Sequence, residues 1–216
     1  NLQFSFEKEN KTFEILDNIN LEIFSGKITG LIGATGSGKS TLANIISGLI
    51  SDYKGELYIN SASKINKEIL KKITGHVSQH VNLIDDTILN NICFGIENDQ
   101  IDFERVKQIT NNLNLEHLID NLPNGINSSI GEQGLNLSGG QRQKISLART
   151  LYLDPKIIIF DESTSSLDSK SEEEFINVIQ KIKLDKIILF ISHNKLLEDS
   201  FDEVYKIENK TISKIK

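Results

Sequence analysis

Apolar and polar residues alternate through Leu2-Gln3-Phe4-Ser5-Phe6, the pattern of a half-buried strand. The polar run Glu7 to Lys11 reads as a turn, and alternation resumes over Thr12 to Leu16 and again over Ile19 to Ile23. Antiparallel strands are therefore expected at the start. Ser25-Gly26 reads as a turn and Lys27 to Ile32 as a buried strand. A glycine-rich loop follows. Leu42, Ile45, Ile46 and Leu49 then have helical spacing over Thr41 to Leu49. Beyond Gly55 the pattern predicts a strand over Glu56 to Ile59 and a short helix over Lys67 to Ile73. The stretch Thr87 to Leu153 is mostly helical by spacing, with helices at Phe103 to Leu113 and Gly140 to Leu151. The last third alternates: strand Lys156 to Phe160, helix Glu172 to Ile182, strand Ile187 to Ile191. Such β-branched runs separated by helices predict an α/β fold, its mostly parallel sheet covered on both faces.

Composition narrows the class. The chain has 216 residues, 38% of them hydrophobic, which suffices for a sizeable core and excludes a disordered chain. The net charge of -6, from 24 Lys and Arg against 30 Asp and Glu, argues against a nucleic-acid partner, since such proteins carry a basic surplus. Cys93 is the single cysteine, so no internal disulfide forms, and its apolar surroundings suggest packing rather than reactivity. The purest apolar run, Ile157 to Phe160, is far short of the roughly 20 residues that span a bilayer. Methionine is absent altogether, which leads us to expect an excised domain or a processed fragment.

Two segments carry chemistry. Gly33-Ala34-Thr35-Gly36-Ser37-Gly38-Lys39-Ser40 fits G-x-x-x-x-G-K-[ST] and lies between a predicted strand and a predicted helix that opens at Thr41, the context the motif requires. Its glycines let backbone N–H groups and a helix N-terminus close on a phosphate chain. Lys39 would reach the β- and γ-phosphates and Ser40 would ligate Mg²⁺. An ordinary glycine turn has no need of those flanks. Ile157-Ile158-Ile159-Phe160-Asp161-Glu162 is an apolar strand ending in two carboxylates. Asp161 would hold Mg²⁺ through water, and Glu162 would act as general base on the attacking water. By itself a strand-end carboxylate is usually just solvated; beside a phosphate loop it reads as part of the site.

Leu137-Ser138-Gly139-Gly140-Gln141, continuing as Arg142-Gln143-Lys144, resembles the signature sequence of ABC-transporter ATPases. The likeness extends over essentially the whole chain. Gln79 resembles the family's Q-loop glutamine, Ser163 to Asp168 its D-loop, and His193, in Ile191-Ser192-His193, its switch histidine. Thr87-Ile88-Leu89-Asn90-Asn91-Ile92, Leu122-Pro123-Asn124-Gly125 and Gly131-Glu132-Gln133-Gly134 resemble landmarks of exporter-type domains.

The resemblance implies one ATP-binding domain over residues 1–216: a P-loop NTPase core, an N-terminal antiparallel layer, and an inserted helical subdomain at about 87–153. It implies ATP and Mg²⁺, with Thr41 beside the nucleotide and Gln79 joining Ser40 and Asp161 around the metal. Glu162, His193 and Gln79 would serve hydrolysis. Two domains would pair head to tail, so that Ser138, Gly139, Gly140, Gln141 and Asp168 face the ATP held by the other. A transmembrane domain fused N-terminally would place the chain at the cytoplasmic face of a membrane. The aromatic that stacks on adenine would be Phe6, with Phe13 the alternative. A soluble ABC ATPase acting on ribosomes or nucleic acid is the competing reading, which the exporter landmarks and acidic charge disfavour. A GTPase would carry N-K-x-D, and Asn194-Lys195-Leu196-Leu197 lacks the aspartate. His76, His80 and His117 are assigned structural roles.

Overall fold

The computed structural model describes residues 1–8, 11–59 and 63–216. These fall into two compact units. The first comprises residues 1–75, 156–162 and 183–216; the second comprises 76–155 and 163–182.

The first unit opens with the expected antiparallel pair, β1 (Leu2–Lys8) and β2 (Lys11–Ile19). Glu9 and Asn10, in the predicted turn, lie outside the described residues. The strand predicted over Ile19 to Ile23 does not form: the backbone turns left-handed at Asn18, with φ 50°, and β2 stops at Ile19. β3 (Ile28–Ile32) is buried throughout and leads into α1 (Lys39–Ile46), two residues ahead of the predicted helix start. The strand predicted over Glu56 to Ile59 shrinks to β4 (Tyr58–Ile59), paired with β5 (Ser63–Lys64). α2 (Lys67–Ile73) matches its prediction, and β6 (Thr74–Ser78) leaves the unit after Gly75.

The chain returns to this unit with β7 (Ile157–Asp161), and later with β8 (Ile187–Ser192), β9 (Glu203–Glu208) and β10 (Thr211–Lys214). The strand order here is β10-β9-β3-β8-β7, with β9, β3, β8 and β7 mutually parallel and β10 antiparallel at the edge. The α/β fold with a mostly parallel sheet and a separate antiparallel layer is as the sequence predicts. Continuous apolar runs suit strands covered on both faces. One face of the sheet, bearing Leu31, Ile159, Leu189, Ile191 and Ile207, packs with Leu42, Ala43, Ile45 and Ile46 of α1. On the other, Phe160, Phe190 and Phe201 stack in sequence, with centroids 5.4 and 5.2 Å apart.

The second unit is helical: α3 (Ile88–Ile92), α4 (Phe103–Asn112), α5 (Glu116–Asp120), α6 (Gly139–Tyr152) and α7 (Ser169–Ile182). α3, α4 and α7 all pack on α6. Side chains cap α3 through Thr87, α4 through Asp102 and α6 through Ser138. No helix among the described residues is long and apolar enough to cross a membrane.

Gly30 sits in β3 where a Cβ would lie 2.2 Å from Phe201 Cδ2. We predict that Gly30→Ala costs about 1–3 kcal/mol by overpacking. In a Phe201→Leu background, which frees that space, the cost should be smaller. Urea midpoints of the four variants test this; equal costs in both backgrounds would contradict it.

Candidate functional site

The first unit gathers the phosphate loop, both strand-end carboxylates and His193. β3 ends at Ile32, and the loop turns back through a hydrogen bond from Ser37 N–H to Ala34 O, 3.1 Å. Gly33 and Gly38 have φ of 151° and 104°. A Cβ at Gly33 would meet Ile207 O at 2.5 Å, and one at Gly38 would meet Leu16 Cδ2 at 2.7 Å. These two glycines are thus required by the protein's own packing. Gly36 differs: its φ is 78°, and a Cβ there would meet nothing within 4 Å.

Lys39 is only 5% exposed. Its ammonium is held over the loop by the carbonyls of Gly33 and Ala34, at 2.9 Å each. Hydrogen bonding of this kind is what makes burial of an ammonium tolerable. No side chain caps α1 and no acidic residue lies in its first turn. The first-turn N–H groups, including those of Lys39, Ser40 and Thr41, therefore need acceptors from elsewhere. Ser37 Oγ is buried without a hydrogen-bond partner among the described residues. Positive charge, open N–H groups and a spare hydroxyl suit a phosphate anion.

Ser40 Oγ lies 3.5 Å from Asp161 Oδ1. These are hard oxygen donors, the kind that suits Mg²⁺, which keeps several of its waters when bound. Next in the chain, Glu162 has φ 50°, left-handed and uncommon outside glycine. Its N–H donates to Ile191 O at 3.1 Å, and its Oε1 lies 3.4 Å from His193 Nδ1. Phe6 lies on β1 and stacks against Phe13 of β2.

The second unit carries the remaining predicted residues. Ser138 caps α6 in a reciprocal arrangement. Gln141 N–H donates to Ser138 Oγ at 3.2 Å, and Ser138 N–H donates to Gln141 Oε1 at 2.8 Å. The hydroxyl proton of Ser138 remains available to donate. The S-x-x-Q spacing of a capping box is readable in the sequence. Asp168 accepts from Ser171 N–H at 3.0 Å and from its hydroxyl at 2.7 Å, which holds its carboxyl below the usual range. Gln143, not singled out from sequence, is buried and donates to the carbonyls of Ser78 and Gln79 at 3.3 and 3.2 Å. It fixes the backbone from which Gln79 projects.

Gly139 and Gly140 pose a separate question. A Cβ on either would lie 3.4 Å from its nearest neighbour, an ordinary contact, and neither has positive φ. The fold would tolerate alanine at both. We predict that Gly140→Ala raises stability by about 0.4–1 kcal/mol, because a restricted unfolded chain loses less entropy on folding. Thermal denaturation tests this, and a lowered midpoint would show that internal packing demands the glycine.

The family model described as ABC transporter matches residues 16–165. ATP-dependent lipid A-core flippase 2 of Colwellia psychrerythraea is 39% identical over 206 residues, covering 94% of this chain and 35% of that protein. The ATP-dependent lipid A-core flippase of Ralstonia nicotianae is 34% identical, covering 90% of this chain and 33% of that protein. The chain thus spans about a third of the length of these curated relatives. The structure of a bacterial Atm1-family ABC exporter with ATP bound superposes with a TM-score of 0.82 at 27% identity, covering 98% of this chain and 37% of that one.

Proposed function

The chain belongs to the ABC transporter family, and from that premise we propose that it binds and hydrolyses ATP to drive an exporter. The observation that carries this reading is the uncapped start of α1 beside the buried Lys39 ammonium. The triphosphate would lie against residues 33–41, with Lys39 neutralising its charge. Mg²⁺ would be held by Ser40 and Asp161, with Gln79 as the third protein oxygen. When bound, the ion would neutralise charge on the β- and γ-phosphate oxygens. Glu162 accepts a proton from the attacking water, and His193, beside it, orients that water and the γ-phosphate. Phe6 offers a ring face to adenine. Catalysis then rests on positioning and charge stabilisation.

The Ser138–Gln141 segment supports a shared site. Two glycines that internal packing does not require, next to a serine with a hydroxyl proton to spare, form a surface built for close approach by an anion. In our reading Ser138, Gly139, Gly140, Gln141 and Asp168 close on the ATP of a second, head-to-tail domain. A transmembrane domain, N-terminal in the same polypeptide, would receive the movement through the Gln79 loop. That places residues 1–216 as the ATP-binding domain, with its helical part inserted, at the cytoplasmic face of a membrane. The flippase and exporter relatives favour this over a soluble ribosomal or nucleic-acid ATPase.

Two experiments follow. Glu162→Gln should retain ATP but slow turnover by roughly 10²-fold or more, the size of a lost general base; hydrolysis near the unmodified rate would remove Glu162 from the mechanism. The shared site is tested by mixing Lys39→Ala and Ser138→Arg chains, both also carrying Glu162→Gln to stop turnover. One site of the mixed dimer combines an intact Lys39 with an intact Ser138. About one ATP retained per mixed dimer after rapid gel filtration, against almost none for either parent, is expected from that count of intact sites. Retention no better than the parents rejects sharing.

A further inference from the structure

Phe6 and Phe13 are direct cross-strand partners in the β1–β2 pair. Their rings lie 5.4 Å apart with planes only 17° from parallel. Paired residues of an antiparallel ladder project from the same face, so this stack follows from register. Yet neither ring is sheltered: Phe6 is 42% exposed and Phe13 44%. An apolar two-ring surface is costly to leave in water, and its position is informative. Glu14 pairs with Ser5 and Leu16 with Phe4, so the ladder bulges at Ile15 and Leu16 is the next residue after Phe13 on that face of β2. Leu16 Cδ2 would lie 2.7 Å from a Cβ on Gly38, so it sits at the start of α1. Phe13 is therefore the neighbour, across one bulge on the same face, of a residue that touches the phosphate loop.

We propose that Phe13 is a positioning residue for nucleotide binding: it occupies one face of Phe6 and fixes that ring, so that the other face receives the purine. This rests on the reading of Phe6 as the base-stacking ring. A ring with one face already covered has fewer orientations to lose when a base arrives, and so binds it at lower entropic cost. Neither phenyl carries a hydrogen-bonding group, so the pair acts by stacking alone.

The test measures Mg²⁺–ATP and Mg²⁺–tripolyphosphate affinities by calorimetry on the full 216-residue chain. Tripolyphosphate has the phosphates without the base and reports on the loop. Phe13→Ala should weaken ATP binding by roughly fivefold, in line with an aromatic pair, and leave tripolyphosphate binding unchanged. Phe13→Tyr, which restores a ring, should bind ATP as the unmodified chain does. Equal weakening towards both ligands would mean that the hairpin merely supports the loop, and unchanged ATP affinity would mean that Phe13 does nothing; either overturns the proposal. Phe6→Ala separates the two claims. It should lower ATP affinity at least as far as Phe13→Ala does. If it leaves ATP affinity intact, the reading of Phe6 fails; if Phe6→Ala weakens ATP and Phe13→Ala does not, the role of Phe13 alone fails.

Discussion

The tight turn from β3 into α1 governs the first unit. At Gly33 the backbone runs against Ile207 O, and at Gly38 against Leu16 and Ile15, with no room for a Cβ at either point. The loop is therefore gripped by β9 on one side and β2 on the other. Its shape is set by core strands rather than by a ligand. α1 leaves the loop in a fixed direction, and that direction lays Leu42, Ala43, Ile45 and Ile46 over the sheet. The same confinement draws the Lys39 ammonium to the carbonyls of Gly33 and Ala34. A loop preorganised in this way spends little binding energy on ordering itself when an anion arrives.

In the second unit α6 plays the corresponding part. Its first turn holds Ser138 and Gln141 in a capping box, and one turn on Gln143 holds the carbonyls of Ser78 and Gln79. Near its C-terminus Arg149 donates to Asn82 O, Asn91 O and Asn91 Oδ1 at 2.7–2.9 Å, with its guanidinium over the Phe94 ring. Burial pulls that guanidinium below its usual pKa, and the oxygen acceptors are what keep an ion there tolerable. Asn91 extends the network by donating to the carbonyls of Ile84 and Thr87. One helix thus carries the signature segment and fixes the backbone of the Gln79 loop. Both are tied to the same helix.

Much of this was legible in the sequence because it is local. The phosphate loop, the apolar β7 ending in carboxylates and the amphipathic α4 and α6 each lie within one segment whose pattern declares it. What stayed hidden depends on distant partners. β9 reads Glu203-Val204-Tyr205-Lys206-Ile207-Glu208, and its first residue is a buried carboxylate. Glu203 is tolerated only because Lys27 and Lys214 reach it at 2.7 and 3.1 Å. The β9–β10 turn places Asn209 and Lys210 at positive φ without glycine, so the usual hairpin signal is missing. The strand predicted through Ile23 failed for a related reason, since alternation continues in the sequence past the left-handed turn at Asn18. Nor could spacing show that Asp168 is engaged with Ser171, or that Phe6 and Phe13 are one surface rather than two alternatives.

The backbone of Glu162 joins these strands of reasoning. A left-handed φ on a non-glycine residue costs of order 1–3 kcal/mol and persists only where surrounding structure imposes it. Here β8 imposes it. The β7–β8 register sets Asp161 beside Ile191, and the Glu162 N–H then donates to Ile191 O. His193 follows two residues later on the same strand path, which brings its Nδ1 to 3.4 Å from the Glu162 carboxylate. A single ladder therefore turns the Glu162 backbone and delivers its histidine neighbour. Loss of the ladder at this point would release the strain and separate the pair together. The parallel pairing of β7 with β8, deep in the apolar core, is thus as much a part of the candidate chemistry as the two side chains at its end.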